Sequence, residues 1–122
     1  MPNLNTVEIK AFVPAKDFEL SKRFYQDLGF TKASDGDGVA YFLHGDCSFL
    51  LQDFYEEGLA KNLMMHLLVE DVDAWWARLQ AAGIPAKYGV KMTEVAVQPW
   101  RMRDFVLIDP TGVKWRIGQN IS

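Results

Sequence analysis

The sequence has a single cysteine, Cys47. One thiol cannot form a disulfide within the chain, and it supplies neither a cysteine-rich zinc site nor a Cys-x-x-Cys redox motif. The amino terminus lacks a basic stretch followed by an apolar core, and no run approaches the roughly 18 apolar residues that a membrane span requires. We therefore expect a protein of the reducing cytoplasm that is neither secreted nor embedded in a membrane.

An excess of positive charge is also missing. The 13 lysines and arginines are outnumbered by 16 aspartates and glutamates, which gives a net charge of −3. This balance offers no field that would hold a polyanion, so nucleic acid is a poor candidate partner. The 122 residues, 49% of them hydrophobic and 24% charged, are typical of one globular domain that needs no cofactor to fold.

The first half of the chain predicts a strand, a helix and a hairpin. Branched and aromatic residues favour a strand at 7–13, which Pro14 should end because proline cannot donate to a sheet ladder. Asp17 is a suitable N-cap for the helix that follows, and Gly29 is a suitable C-cap. The remaining predictions are a hairpin at 39–43 and 48–52, a weakly marked edge strand at 30–34 and a polar loop at 56–62.

The second half repeats this order. A strand is predicted at 64–69, followed by a helix that Asp71 or Asp73 would cap and Gly83 would close. Further strands are predicted at 95–97, 104–108 and 113–118. The pattern predicts an α+β fold built from two copies of one β-α-β-β(-β) unit, with modules at about 5–57 and about 62–120.

Three segments of the chain resemble one protein superfamily. They read SKRFYQDLGF at 21–30, LLVEDVDAWWARLQAAGI at 67–84 and FVLIDPTGVKW at 105–115. Their order and spacing are similar to those of the vicinal oxygen chelate superfamily, which includes glyoxalase I, bleomycin-resistance proteins, fosfomycin-resistance transferases and extradiol dioxygenases. The resemblance implies a single glyoxalase/bleomycin-resistance-like domain over 1–122, in which two βαβββ modules form a curved-sheet cleft, and it implies a homodimer.

Within the superfamily, the bleomycin-resistance proteins are the most similar. The likeness is carried by residues 94–112, which read EVAVQPWRMRDFVLIDPTG, and its most specific feature is the tripeptide QPW. Residues 33–39 depart from the pattern, because they read ASDGDGV and lack the aromatic side chains that antibiotic-binding members carry there. This departure argues against bleomycin itself as the ligand.

The resemblance also places the metal ligands of the superfamily's enzymes at four positions, which are Glu8, Leu50, Met64 and Arg116 here. Of these, Glu8 alone could bind a hard or borderline divalent ion, and a cationic Arg116 would repel one. We therefore expect no metal at this site. Because Glu8 and Arg116 fall on facing positions with opposite charge, we also predict that they form an ion pair across the cleft.

Two further candidates follow from strand alternation. His66 lies two residues beyond Met64, and Lys10 lies two beyond Glu8, so each should point to the same side as its neighbour. In the cleft both could hydrogen-bond a ligand, and His66 could act as a general base near neutral pH. The alternative is that His66 is merely satisfied within the sheet.

The aromatic candidates begin with Trp100, which is predicted in a loop between strands, where a large ring has less reason to be core. The resemblance implies that this tryptophan lines the ligand cleft, and packing at a dimer interface is the alternative. The resemblance also implies a substrate-facing Tyr41, and strands that border the cleft contribute weaker candidates. The complete predicted ligand-binding set is Glu8, Lys10, Tyr41, Gln52, His66, Trp100, Trp115 and Arg116.

Three functions remain open from the sequence. The first is a metal-independent protein of the bleomycin-resistance type that binds an aromatic or amphipathic ligand, with antibiotics among the candidates. The second is a lyase or isomerase of the superfamily that acts on a small carbonyl compound, with His66 or Glu8 as base and Arg116 or Lys10 stabilising the oxyanion. The third is an interaction module with a vestigial cleft.

Overall fold

The computed structural model describes residues 2–121. Its first half contains, in chain order, β1 (Phe12–Ala15), α1 (Phe18–Leu28), β2 (Thr31–Gly36), β3 (Val39–His44), β4 (Cys47–Asp53) and α2 (Glu57–Asn62). Its second half contains β5 (Met64–Leu68), α3 (Val72–Ala81), α4 (Ile84–Tyr88), β6 (Ala96–Gln98), β7 (Met102–Ile108) and β8 (Lys114–Asn120). None of these helices is both long enough and apolar enough to cross a membrane.

Each half of the chain builds one four-stranded sheet. Sheet A has the strand order β1-β4-β3-β2, and sheet B has the order β5-β8-β7-β6. In both sheets the first strand runs parallel to the last strand of its module, and the other neighbours are antiparallel. The α+β fold of two modules with the same plan is therefore confirmed.

Local signals fix the ends of α1. The Asp17 side chain accepts a hydrogen bond from the backbone N–H of Leu20 at 3.1 Å, which satisfies one of the unpaired donors of the first turn. At the other end Gly29 has φ +113°, a left-handed conformation that favours glycine. Both predicted caps are confirmed.

The core is shared between the two modules. The ring of Tyr25 on α1 lies 4.8 Å from Phe49 of sheet A and 5.6 Å from Trp115 of sheet B, measured between ring centroids. Phe49 and Trp115 are themselves 5.3 Å apart. Each sheet therefore has one face covered by this core, and its other face, called here the uncovered face, is directed away from the core.

The first strand differs from the prediction. Residues 2–11 lie outside both sheets, and β1 begins only at Phe12 and runs through Pro14. Because β1 is an edge strand that pairs with β4 alone, proline can be accommodated without losing a ladder hydrogen bond on the open side. The predicted strand at 7–13 is therefore wrong over most of its length, and the observed strand continues through Pro14 to Ala15, two residues beyond the predicted end.

Two more expectations about loops are corrected. The predicted polar loop at 56–62 contains helix α2, whose N-terminal N–H groups are capped by the side chain of Glu56. Beyond α3, Gly83 has φ +67° and leads directly into the short helix α4, which the sequence pattern did not predict. Of the two candidate caps for α3, Asp71 accepts the bond, from the N–H of Ala74.

Candidate functional site

The uncovered face of sheet A carries three positions that the sequence singled out, Tyr41, Leu50 and Gln52, together with Ser48. Tyr41 on β3 and Ser48, Leu50 and Gln52 on β4 alternate with the buried Phe42 and Phe49, so they point away from the core. Tyr41 and Leu50 are direct partners in the ladder. This face thus joins a phenol, a hydroxyl and an amide on an apolar background.

Glu8 approaches this face from the segment that precedes β1. Its carboxylate accepts hydrogen bonds from the Tyr41 hydroxyl at 2.9 and 3.2 Å and from the Ser48 hydroxyl, and it forms an ion pair with Lys10 at 2.7 Å. The Lys10 ammonium also lies 5.0 Å from the centroid of the Tyr41 ring. These four side chains form what is called here the Glu8 cluster.

The hydrogen bonds of this cluster favour the ionised form of Glu8. Lys10 has the largest effect, followed by Ser48 and Tyr41, and together they lower the pKa of Glu8 to about 2. A carboxylate with this pKa stays ionised at neutral pH and accepts a proton only weakly. Glu8 is thus built to hold the segment onto sheet A, and it is a poor general base.

The uncovered face of sheet B carries a second cluster around Arg116. The guanidinium donates a hydrogen bond to a carboxylate oxygen of Asp104 at 2.8 Å, and the other oxygen of Asp104 accepts one from the Gln98 side chain at 2.9 Å. Asp104 is 1% exposed. The neighbouring Gly118 makes room for it, since a Cβ at position 118 would lie 3.1 Å from the Asp104 Cβ.

Trp100 completes this cluster. It lies in the turn between β6 and β7, and its ring centroid is 5.3 Å from the Arg116 guanidinium carbon. The turn closes with a hydrogen bond from the Arg101 N–H to the Gln98 carbonyl at 3.1 Å, and Arg101 adopts φ +63°, a strained conformation for a residue other than glycine. The indole remains 53% exposed. Gln98, Trp100, Asp104 and Arg116 are called here the Arg116 cluster.

His66 lies beside this cluster. It is the ladder partner of Arg116, and it alternates with the buried Leu67, so it points to the uncovered face together with Met64. Lys114 and Val106 lie on the same face, because each is a register neighbour of these residues. The predicted position of His66 on the same side as Met64 thus agrees with the strand.

Trp115 lies elsewhere. It is 3% exposed, and its indole N–H donates to the Tyr25 hydroxyl at 2.8 Å within the shared core. Since successive strand residues point to opposite faces, Trp115 must face the core when Arg116 faces outward. Its edge borders a cavity of about 240 Å³ between β4 and β5. We therefore treat Trp115 as a core residue and not as a wall of the uncovered face.

The predicted ion pair between Glu8 and Arg116 is wrong. Glu8 is paired with Lys10, and Arg116 is paired with Asp104. Within residues 2–121 no hydrogen bond or salt bridge connects the Glu8 cluster with the Arg116 cluster. The other predicted site residues thus fall into two groups that are not hydrogen-bonded to each other, one on each sheet, and Trp115 lies in the core.

Residues 4–117 match the model of the glyoxalase/bleomycin resistance protein/dioxygenase superfamily. The chain belongs to this superfamily. Its membership confirms the resemblance seen in the three sequence segments and accounts for the repeated module. Among curated proteins, no match was found.

Several solved protein structures have a similar fold over nearly the whole length of this chain. A bleomycin resistance determinant encoded on the transposon Tn5 is 21% identical, with a TM-score of 0.79 over 94% of this chain and 98% of that one. TnmS3, an antibiotic binding protein from Streptomyces sp. CB03234, is 27% identical, with a TM-score of 0.75 over 97% and 99%. A lactoylglutathione lyase from Agrobacterium tumefaciens is 17% identical, with a TM-score of 0.70 over 96% of each chain.

The metal positions of the superfamily's enzymes do not fit a divalent metal in this chain. Leu50 and Met64 offer no hard ligand, Glu8 is held by three donors, and Arg116 brings a positive charge. Within residues 2–121 no three His, Cys, Asp or Glu side chains come together in a way that could hold a metal ion. The donor set is therefore unsuited to Lewis-acid chemistry at these positions.

Sequence reasoning missed three residues of the two clusters, namely Ser48, Gln98 and Asp104. The available signal was strand period, since Asp104 shares the alternation of Val106 and Ile108 on the face that also holds Arg116. The structure also contains a crevice of about 340 Å³ between the β3–β4 turn and α3, lined by His44, Cys47 and Trp75, which no sequence pattern indicated.

Proposed function

We propose that this chain binds a small aromatic or amphipathic molecule reversibly and without a metal. The observation that carries this proposal is the pair formed by Trp100 and Arg116 on sheet B. Trp100 is 53% exposed and carries the Arg116 guanidinium over its ring, and small-molecule sites use aromatic and charged groups of this kind to stack and orient a ligand. The similar folds of a bleomycin resistance determinant and an antibiotic binding protein support the same function, with antibiotics among the candidate ligands.

The enzyme alternative is less well supported. It needs a general base, and the low pKa of Glu8 removes one of its two candidates. His66 remains next to Arg116 in the ladder, where it could serve a carbonyl substrate. A lactoylglutathione lyase shares the fold, but the donor set described above is unsuited to a metal-dependent reaction.

We further propose a homodimer in which the second copy helps to form the cleft. The uncovered faces of sheets A and B point away from the shared core, and Met64 on sheet B is 53% exposed. Leu4, Val7 and Ile9 precede β1 and are 89–99% exposed. Glu8 is bound to sheet A, and its neighbours Val7 and Ile9 are therefore free to pack against another chain.

The dimer makes the first prediction. The wild-type chain should sediment as a dimer at micromolar concentration, and the double variant Val7→Asp/Ile9→Asp should sediment as a monomer, because burying two new carboxylates is costly. The matched control is Asn5→Asp/Thr6→Asp, which adds the same two charges to exposed polar positions of the same segment. A monomeric wild type, or a dimer that survives the Val7 and Ile9 changes, would contradict the proposal.

Ligand binding makes the second prediction. A thermal-shift screen with planar aromatic compounds should identify at least one that raises Tm by several degrees, since a ligand at about 100 times its Kd stabilises the folded state by about 2.7 kcal/mol. The ligand should also change the tryptophan fluorescence of the wild-type chain but not that of Trp100→Ala, and Trp100→Ala should weaken binding by about 10-fold.

The same screen separates the alternatives. Small keto acids and aldehydes should neither stabilise the protein nor be turned over. Turnover that is insensitive to a chelator and is lost in His66→Ala would replace the binding function with the enzyme. If no compound stabilises the protein, the third function, an interaction module with a vestigial cleft, becomes the better explanation.

A further inference from the structure

The uncovered face of sheet B has an unbalanced charge. Its strands present two cations, Lys114 and Arg116, and one carboxylate, Asp104. Lys114 lies two residues from Arg116 on the same face, about 7 Å along the strand. It has no ion-pair partner within residues 2–121. One positive charge is therefore left in excess on this face.

The single carboxylate is not accessible to a ligand. Asp104 is 1% exposed, and both of its oxygens are occupied, one by Arg116 at 2.8 Å and one by Gln98 at 2.9 Å. A cationic ligand would thus find no free partner here and would be repelled by Lys114. The role of Asp104 is to hold the Arg116 guanidinium in place.

The guanidinium keeps most of its hydrogen-bonding capacity. Arginine has five N–H donors in a planar fork, and within residues 2–121 a single side-chain bond, to Asp104, uses one of them. The Arg116 side chain is 23% exposed, so part of it can be reached by a ligand from the uncovered face. A planar carboxylate matches the geometry of such a fork.

Trp100 adds a second requirement on the ligand. Its ring lies 5.3 Å from the guanidinium carbon, and the turn that carries it is held by the Arg101–Gln98 hydrogen bond. The guanidinium covers part of one face of the indole, and Trp100 is 53% exposed, so an aromatic ring attached to the carboxylate would stack on the exposed part of the indole. Val106, the ladder partner of Arg116, provides an apolar neighbour.

We propose that the Arg116 cluster, together with Lys114, is a subsite for an aromatic carboxylate. Arg116 binds the carboxylate, Lys114 supplies the balancing charge, and Trp100 stacks on the ring. On sheet A the Glu8 carboxylate is already paired with Lys10, so it adds no unbalanced negative charge. This inference rests on the proposed small-molecule binding function and specifies the ligand's charge.

The test uses three probes that share one ring system and differ in charge. These are 2-naphthoate, neutral 2-naphthamide and cationic 2-naphthylmethylammonium, each titrated calorimetrically into the wild-type chain. The naphthoate should bind about 10-fold more tightly than the amide, because a charge-assisted hydrogen bond replaces a neutral one, and the ammonium should bind most weakly. The ratio of naphthoate to amide affinity should fall with added salt.

Variants assign this preference to residues. Arg116→Gln should make the affinities for naphthoate and amide equal. Lys114→Gln should lower the ratio of naphthoate to amide affinity about threefold without disturbing Asp104. Because Arg116→Gln leaves Asp104 unpaired, the double variant Asp104→Asn/Arg116→Gln provides a second protein that lacks the guanidinium but has no buried unpaired charge. The matched control is Lys61→Gln, which removes an exposed lysine of α2 and should leave the ratio unchanged.

The possible failures are distinguishable. Equal binding of the three naphthalene probes, or tighter binding of the ammonium, would overturn the carboxylate subsite and leave the small-molecule function intact. The carboxylate subsite is also overturned if naphthoate fails to bind while the protein binds other compounds of the thermal-shift screen. If none of the probes or screened compounds binds, the proposed function itself is overturned.

Discussion

Replacing Trp115 with alanine should lower the free energy of unfolding by about 3–5 kcal/mol, whereas the same change at Trp100 should lower it by about 1 kcal/mol or less. Trp115 is buried among Tyr25, Phe49 and the rest of the shared core, so its removal leaves a cavity and removes the hydrogen bond that the indole N–H donates to the Tyr25 hydroxyl. Trp100 is half-exposed, and its loss removes little more than its contact with Arg116.

Urea unfolding of the two variants, followed by circular dichroism, measures this difference. Trp100→Ala is a matched control, because the same atoms are deleted at an exposed position. Ligand affinity should respond in the opposite order, with Trp100→Ala losing affinity and Trp115→Phe keeping it. Equal destabilisation by the two alanine variants would contradict the assignment of Trp115 to the core.

Asp109→Ala should have an effect of similar size, about 3–5 kcal/mol. One oxygen of the buried Asp109 carboxylate accepts hydrogen bonds from the backbone N–H groups of Thr111, Gly112 and Val113, each at 2.9 Å. The other accepts one from the Tyr25 hydroxyl at 2.5 Å, so this side chain joins the turn before β8 to helix α1. Alanine would leave these donors without their partner.

Two variants make the Asp109 measurement specific. Asp109→Asn retains an oxygen for the backbone N–H groups and should lose roughly half as much stability as the alanine variant. Asp46→Ala removes an exposed carboxylate from another turn and should change the free energy of unfolding by no more than about 0.5 kcal/mol. A loss below about 1 kcal/mol in Asp109→Ala would show that the turn holds together without this carboxylate.

Elements with local signals were predictable. Asp17 and Gly29 mark the ends of α1 because a cap is a contact with the helix's own first or last turn. The hairpin of β3 and β4 and the strands β7 and β8 follow from alternation and turn residues in the same way. The segment at 7–10 has strand-forming residues, but within residues 2–121 it pairs with no strand, so its local preference is not realised.

The candidate site was predictable in part. Alternation correctly grouped His66 with Met64, because the period of a strand depends on the backbone alone. It also required Trp115 and Arg116 to point to opposite faces, but the choice of which face is covered belongs to the packing of α1 and the other sheet. The partner of Arg116 was wrong for the same reason, since Asp104 lies on a neighbouring strand and Glu8 lies over another sheet.

The sequence by itself determined the two-module plan, the caps of α1 and the side-chain alternation along β5, because each follows from a pattern within a short stretch of the chain. The tertiary structure decided which face of each sheet is covered. It also decided that Glu8 and Arg116 have different partners and that Asp104 is buried where Gly118 leaves space. These features depend on contacts between segments that are distant in the sequence, because burial and ion pairing are decided by which side chains the folded chain places next to each other.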